Sequence, residues 1–305
     1  MITHRIAARV FNTLLMIDQR KVEAFLAGFG ERLTGGDVEV CDALGAIDHV
    51  AFETGRPSLG RLGDGLGRAY DRAGILPFDA IDKVAVIGIE GTLVHKGAFI
   101  GQSSGETSYQ GLQTQAARAL RADSIKAAVL EVDSFGGEGA GAFDAADAIA
   151  ELSAAKPTMA ILTENAHSAG YLLASQARQI VMPEFGGVGS IGAITIHTDR
   201  SRQLANAGIQ VTILAAGKHK ADGNPFEPLP QAVADRTIAA LERARLKFAD
   251  YVGRGRGARM TAAQAMATEA DSFGGADALA LGMVDAIARP ADAFDAFIRE
   301  VNGTR

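Results

Sequence analysis

The chain has 305 residues, of which 48% are hydrophobic and 22% are charged, and its formal net charge is -6. This composition allows a sizeable buried core and excludes a chain that is disordered throughout. The acidic balance argues against a general nucleic-acid-binding protein, and the single Cys41 excludes an intramolecular disulfide, as is usual in a reducing compartment.

The first 75 residues are predicted to form a unit of their own. Apolar residues recur with helical spacing over residues 1–33, but charged residues interrupt them too often for a membrane-spanning helix. Glycines then crowd residues 55–67, and no Lys-Ser or Lys-Thr pair follows them, so a connector is favoured over a phosphate-binding loop. We therefore expect an N-terminal helical arm and a glycine-rich linker over residues 1–75.

Short apolar runs alternate with helical stretches from Val84 onward. The runs have the length and composition of buried strands and lie at 84–89, 127–132, 158–163, 179–182 and 211–215. The helical stretches lie at 107–122, 143–153, 169–176 and 231–252. Such alternation is typical of an α/β fold. We place the main domain at residues 76–290 and a C-terminal tail at residues 291–305.

The sequence gives no indication of a membrane span, a cofactor or a nucleic-acid partner. Its apolar runs reach only the length of a strand, so no transmembrane helix is expected. His, Cys and acidic residues do not cluster at metal-ligand spacing, so no metal is expected. The basic run at residues 253–259 is too short to indicate nucleic-acid binding in an acidic chain.

Ser168 stands between a predicted strand and a predicted helix, where the helix N-terminus would favour an anionic intermediate. A serine hydroxyl attacks a carbonyl only after a base takes its proton, and a desolvated lysine can be that base. Lys220 lies 52 positions later and follows an apolar run. Lys218 would face the same side of an extended segment and remains an alternative base. Ser168 with Lys220 therefore predicts a hydrolase.

A glycine pair can complete such a site. Gly136 and Gly137 follow the predicted strand 127–132, and glycines let a backbone turn with its N–H groups exposed. Those N–H groups can stabilise the oxyanion that forms when a hydroxyl attacks a carbonyl. The chain therefore offers a nucleophile, a base and an oxyanion site.

Histidine is the rival base. His197 follows Ser168 by 29 positions and is itself followed by Asp199, an arrangement that a Ser/His/Asp triad could use. His197 lies, however, in an alternating strand-like run, where a packed histidine is the simpler interpretation. His167 directly precedes Ser168, so its side chain is expected to point away from the serine. We therefore prefer Lys220 as the base.

Five short motifs stand in an order that resembles the signal peptide peptidase A family. They are Asp-Ser-Phe-Gly-Gly at 133–137, Ser-Ala-Gly-Tyr at 168–171, Gly-Ser-Ile-Gly at 189–192, Gly-Lys-His-Lys at 217–220, and Phe-Gly-Gly-Ala at 273–276 with Leu-Gly-Met-Val-Asp at 281–285. The family comprises serine proteases with a Ser/Lys dyad on the crotonase-like fold of repeated β-β-α units that Clp protease shares. Phe135 departs from the family, which usually has proline there, and Ala169 stands where glycine is common.

The resemblance implies a role for five residues. Ser168 would be the nucleophile and Lys220 the general base. The hydroxyl of Ser190 would orient the lysine amine. The backbone N–H groups of Gly137 and Ala169 would form the oxyanion hole. No cofactor is implied.

No membrane anchor is expected in this chain, which suits the phage-encoded branch of that family, the capsid maturation proteases. The resemblance then implies scaffold, capsid or portal proteins as substrates, a homo-oligomeric enzyme, and a location in the host cytoplasm or the assembling procapsid. Two alternatives are a cellular protease that degrades signal peptides and a noncatalytic oligomeric assembly protein in which the dyad is incidental.

Overall fold

The computed structural model of the chain describes residues 12–18, 64–95, 99–103 and 105–303, and a mixed sheet lies at its centre. The strands are β1 (Leu15–Ile17), β2 (Asp79–Ile81), β3 (Val84–Val94), β4 (Gln102–Ser103), β5 (Glu106–Ser108), β6 (Ala127–Glu138), β7 (Thr158–His167), β8 (Gln179–Met182), β9 (Gly187–Gly189), β10 (Ser272–Gly274) and β11 (Ala286–Ile287). The helices are α1 (Gly65–Ala73), α2 (Tyr109–Arg121), α3 (Ala142–Ala155), α4 (Ala169–Ala174), α5 (Ser201–Asn206), α6 (Gln231–Arg256), α7 (Ala262–Ala267), α8 (Gly275–Ala280) and α9 (Pro290–Asn302), with a 3-10 turn at Gly257–Arg259. The predicted α/β class is confirmed.

The centre of the sheet is formed by three long parallel strands. In the described part of the chain the main path runs β10-β9-β7-β6-β3-β5-β4. β1, β2 and β8 pair with members of this path, and β11 pairs with β8. β3, β6 and β7 are adjacent and parallel, and they are rich in buried aliphatic residues, as strands covered on both faces are. β6 and β7 run past their predicted ends to Glu138 and His167. This extension carries the glycine pair and the residue before Ser168 to the same end of the sheet.

Alternate residues of these strands face two different hydrophobic cores. Ile87 and Leu130 belong to the larger core, on the side covered by α2, α3 and α4. Val129 and Ile161 face the other way and pack against Phe297 of α9. Residues 291–305 were predicted to be a tail, yet most of them form α9, because an amphipathic helix covers apolar strand residues that would otherwise be exposed.

The prediction of a helical arm is wrong at Leu15–Ile17, which form β1. Four apolar residues in a row fit a buried strand as well as a helix, and periodicity cannot separate the two. Antiparallel pairing with Gly136–Glu138 decides the outcome here. The remaining residues of the predicted arm, together with Cys41, lie outside the described residues.

Part of the predicted glycine-rich linker is the helix α1, which is attached to α2. Arg118 on α2 forms ion pairs with Asp64 and with Asp71 (2.6 Å). Thr114 adds a hydrogen bond to Asp64 (3.0 Å). The arginine side chain is almost fully buried, so these contacts fix α1 against the main body of the chain.

The predicted strand at 211–215 is absent from the sheet. Its side chains are exposed, including that of Leu214, which is 93% exposed. The β-branched composition favours a strand, but in the single chain this segment pairs with no edge of the described sheet.

The late motif at 281–285 anchors α6 through a buried ion pair. The side chain of Arg256 is 0% exposed and pairs with Asp285 at 2.9 Å. Asp285 also accepts hydrogen bonds from the Ile180 N–H (2.7 Å) and from Arg259 (2.9 Å). Burial alone would raise the pKa of Asp285, but the hydrogen bonds and charge of Arg256 outweigh it and hold that pKa below its ordinary value.

Replacing Arg256 by methionine is expected to lower the free energy of unfolding by about 3 kcal/mol, because it removes the fully buried member of the ion pair and leaves the Asp285 carboxylate with only Arg259 and the Ile180 N–H as partners. Urea denaturation measures the change. Arg289, 83% exposed and paired with Asp292, is the matched control, and Arg289→Met is expected to cost less than about 1 kcal/mol. Because the pKa of Asp285 is depressed, its contribution to stability is present above about pH 4 and is lost as the pH falls through the folded-state pKa. Equal losses in the two variants would contradict this assignment.

Candidate active site

Ser168 occupies a strained turn between β7 and α4. Its backbone angles are φ 51° and ψ -123°, in a region that side chains with a Cβ rarely adopt. Its N–H donates to the Gly189 carbonyl (2.8 Å), and its own carbonyl accepts from the Leu172 N–H (2.9 Å). Strain of this kind costs about 1–3 kcal/mol and is characteristic of functional sites. The side chain is 1% exposed.

The two predicted oxyanion residues lie at neighbouring strand ends. A Cβ on Gly137 would lie 1.9 Å from the Leu93 carbonyl oxygen, so only glycine fits beside β3 there. A Cβ on Gly136, whose φ is 94°, would lie 3.0 Å from the Ala169 nitrogen. The glycine pair therefore borders directly on the N-terminus of α4.

Ser134 fixes the backbone of this glycine pair. Its hydroxyl donates to the Gly91 carbonyl (2.7 Å) and accepts from the Gly136 N–H (3.1 Å). Its carbonyl oxygen lies close to Gly170, where a Cβ would approach it to 2.8 Å. Ser134 thus joins β3, the glycine pair and α4, a role that the sequence did not reveal.

Ser190 lies beside Ser168. β9 pairs in parallel with the end of β7, with Gly189 opposite His167. The residue that follows each strand is a serine with positive φ, 51° for Ser168 and 53° for Ser190. The Ser190 N–H donates to the Asp271 carbonyl (2.8 Å), which holds this second turn. The structure therefore brings Ser168, Ser190, Gly137 and Ala169 together.

The two candidate lysines stand apart from this cluster. Lys218 and Lys220 both belong to a stretch whose side chains are exposed throughout residues 207–220. The Lys220 N–H donates to the Gly217 carbonyl (3.1 Å) in a turn. Among the described residues, no hydrogen bond or ion pair joins either ammonium group to Ser168 or Ser190. A lysine that acts as a base must be removed from water, and the single chain does not do this.

The histidines that could have served as the base have other partners. His197 contacts the Asn224 carbonyl through Nε2 (3.0 Å), and Asp199 accepts a hydrogen bond from the Ser201 N–H (2.8 Å). His167 is 2% exposed and stacks on the ring of Phe135 (5.2 Å between centroids). The phenylalanine that departs from the family pattern thus packs beneath the residue that precedes Ser168.

Tyr171 links the turn at Ser168 to the late motif at residues 281–285. It lies one turn into α4, is 0% exposed, and donates its hydroxyl to the Met283 carbonyl (2.9 Å). Burial raises the pKa of the Tyr171 phenol well above its ordinary value, so the group stays neutral and structural. The Ser-Ala-Gly-Tyr motif and the motif at 281–285 are therefore in direct contact through this bond.

Within the described ranges, His, Cys, Asp and Glu side chains form no group of three that could hold a metal ion. Across the same ranges, none of the helices combines the length and the apolar character needed to cross a bilayer.

Residues 150–302 match the family model described as Peptidase family S49. The chain is 30% identical over 99% of its length to the head-tail preconnector protein GP5 of Enterobacteria phage P21, of which it covers 58%. It is 30% identical over 94% of its length to the capsid assembly protease C of Escherichia phage lambda, of which it covers 64%. The chain therefore spans only part of the length of these relatives.

The solved structures that align with the chain include a membrane protease from Pyrococcus horikoshii that is specific for a stomatin homologue. It aligns with a TM-score of 0.41 and 15% identity over 70% of this chain and 77% of that one. An enoyl-CoA hydratase from Shewanella pealeana aligns with a TM-score of 0.42 and 14% identity over 73% of this chain and 72% of the hydratase. Both likenesses are distant.

Proposed function

Because this chain belongs to peptidase family S49, we propose that it is a serine endopeptidase with a Ser/Lys dyad that processes phage head proteins. The observation that carries the proposal is the strained turn of Ser168, placed beside Ser190 and next to the N–H groups of Gly137 and Ala169. The names of the two phage relatives support head assembly as the setting, with scaffold, capsid or portal proteins as substrates.

The chemistry follows from these roles. The Ser168 hydroxyl attacks the substrate carbonyl while Lys220 takes its proton, and the hydroxyl of Ser190 orients the lysine amine. The N–H groups of Gly137 and Ala169 stabilise the oxyanion. The leaving amine takes the proton from Lys220, and an acyl-enzyme remains on Ser168. A water activated by Lys220 then hydrolyses the ester.

Assembly into a homo-oligomer would provide the desolvation that the base needs. Residues 209–226, which include Lys220, expose several large apolar side chains, and so does α6, which an ion pair between Arg236 and Asp222 joins to this segment. Their exposed fractions are Ile209 53%, Val211 41%, Ile213 42%, Leu214 93%, Phe226 41%, Ile238 61% and Leu246 53%. Exposed apolar surface of this extent is typical of an interface. A second copy that covers residues 209–220 would remove Lys220 from water.

The phage relatives favour head proteins over released signal peptides as substrates, and with them the host cytoplasm or the procapsid as the location. A noncatalytic assembly protein would have no use for the strained backbone of Ser168. We therefore place both alternatives behind the head protease.

Coexpression with candidate scaffold, capsid and portal proteins tests this proposal. Mass spectrometry of the products is expected to show new termini in at least one head protein with the unaltered chain, and none with Ser168→Ala. Cleavage that persists in Ser168→Ala would refute Ser168 as the nucleophile. Digestion of short peptides without cleavage of any head protein would favour the cellular peptidase, and the lack of any cleavage would favour the assembly protein.

A further inference from the structure

Residues 12–18 run as an extended strand along the glycine end of β6. Beyond β1 itself the pairing continues in both directions. The Gly139 N–H donates to the Leu14 carbonyl (3.1 Å), and the Asp18 N–H donates to the Phe135 carbonyl (2.9 Å). The strand therefore lies antiparallel to the segment that carries the predicted oxyanion residue.

The carbonyl oxygen of Met16 lies at the predicted oxyanion hole. Antiparallel neighbours alternate between pairs that exchange hydrogen bonds and pairs that do not. The bonded pairs on either side are Leu14 with Gly139 and Asp18 with Phe135. Met16 and Gly137 face each other two residues from each of these pairs, so they also form a bonded pair, in which the Gly137 N–H donates to the Met16 oxygen. A Cβ on Gly136 would lie 2.0 Å from that oxygen and 3.0 Å from the Ala169 nitrogen. Both predicted donors therefore lie close to this one carbonyl.

The same strand is held on its other edge. Leu15 exchanges two hydrogen bonds with Ile194, both 2.9 Å long. The Asn12 N–H donates to the Ile196 carbonyl (2.9 Å). Residues 12–18 therefore lie between two backbone edges, one from β6 and one from the stretch that follows Ser190. Extended peptide ligands bind to proteins in this way, by pairing with the edges of existing strands.

The side chains before the Met16 carbonyl are taken into the protein. Met16 is 0% exposed and belongs to the larger hydrophobic core. Leu15 is 6% exposed, and Leu14 packs partly against the same core. A substrate residue in a specificity pocket has this arrangement. Its side chain is fully buried, and its own carbonyl group lies at the oxyanion donors.

We infer that residues 12–18 are a substrate of the chain's own active site and that Ser168 cleaves the bond between Met16 and Ile17. This inference rests on the proposed function. The Ser168 oxygen adds to the Met16 carbonyl carbon, and the serine proton passes through the base to the Ile17 nitrogen. The carbon–nitrogen bond breaks, which leaves Ile17 as a free amine and Met16 as an ester of Ser168. Water hydrolyses the ester, so Met16 gains a carboxylate and the serine is regenerated.

The same contacts define a class of substrates. The residue before the cut has a long apolar side chain without a branch at Cβ, and the two residues before it are leucines held by backbone hydrogen bonds. Other substrates of this site are expected to carry Met or Leu before the cut and apolar residues before that. Lys220 is exposed in the single chain, so cleavage is expected to begin when assembly covers the base.

Four versions of the full 305-residue chain test the inference: unaltered, Ser168→Ala, Met16→Leu and Met16→Lys. Each is incubated at concentrations that favour assembly, and intact mass and N-terminal sequencing are followed with time. The unaltered chain and Met16→Leu are expected to acquire Ile17 as a new amino terminus. Ser168→Ala is expected to stay intact. One methylene group more or less in an apolar pocket changes the cleavage rate by roughly 10- to 200-fold. Met16→Lys is expected to slow its own cleavage by a larger factor, because an ammonium group replaces a buried thioether.

A synthetic peptide of residues 12–20 separates a specificity effect from a folding defect. Met16→Lys is expected to cut this peptide after its methionine, because its own segment no longer fills the groove. Cleavage of the peptide at another bond would overturn the inference. Ser168-dependent cleavage of a head protein while the Met16–Ile17 bond stays intact would overturn it and leave the proposed function standing. The lack of Ser168-dependent cleavage of any bond in any substrate would overturn both.

Discussion

Ser168→Ala is expected to lower the rate of peptide-bond cleavage by about a million-fold, the size of loss seen when a serine nucleophile is removed from a protease. The hydroxyl forms the acyl-enzyme, and alanine offers no atom that can replace it. The effect is measured as the rate at which new amino termini appear in an unfolded protein substrate. Alanine keeps the backbone N–H to Gly189 and the carbonyl to Leu172, so the fold is expected to be retained.

Ser153→Ala is the matched control for this substitution. Ser153 is also buried, and its hydroxyl contacts Thr158 (2.7 Å) at the start of β7, whereas Ser168 follows the end of the same strand. Ser153→Ala is expected to change stability by about 1 kcal/mol and activity very little. Comparable activity losses in the two variants would mean that Ser168 supports the fold and is not the nucleophile.

Lys220→Ala is expected to lower the cleavage rate by about 100- to 10,000-fold, the usual contribution of a general base. Lys218→Ala is its control, because Lys218 is equally exposed, lies two residues away and carries the same charge. Rates are measured at protein concentrations that permit assembly. Lys220→Arg adds a second comparison, since arginine keeps the positive charge but cannot give up its proton. We expect Lys220→Arg to be as inactive as Lys220→Ala.

The other outcomes of these substitutions would assign the base to a different residue or refute the dyad. A loss confined to Lys218→Ala would make Lys218 the base. If Lys220→Ala is inactive and Lys220→Arg is fully active, a positive charge is needed at this position and proton transfer is not. Full activity of both alanine variants would refute a Ser/Lys dyad. Oligomeric state is measured in parallel, because residues 209–220 are also the proposed interface.

The main strands were predictable because burial on both faces leaves an unmistakable composition. β8 has the bounds that the sequence predicts, and the predicted starts of β3, β6 and β7 are also those of the structure. The ends of β6 and β7 were not predictable, because Gly136, Gly137 and Asn165 have low strand propensity and join the sheet only through their neighbours. The strand predicted at 211–215 failed for the opposite reason, since strand-forming residues there have no partner edge.

The sequence by itself determined the α/β class, because its apolar runs have the composition of buried strands. It also determined which residues around Ser168 are candidates for the site, because they belong to short motifs in a fixed order. Only the tertiary structure decided that Ser190 lies beside Ser168, that Lys220 is exposed in the single chain, and that residues 12–18 cross the site as a strand. These three facts depend on contacts between residues far apart in the chain. The free energy that stabilises these arrangements comes from strand pairing and side-chain packing, and a local pattern of residues does not specify the partners.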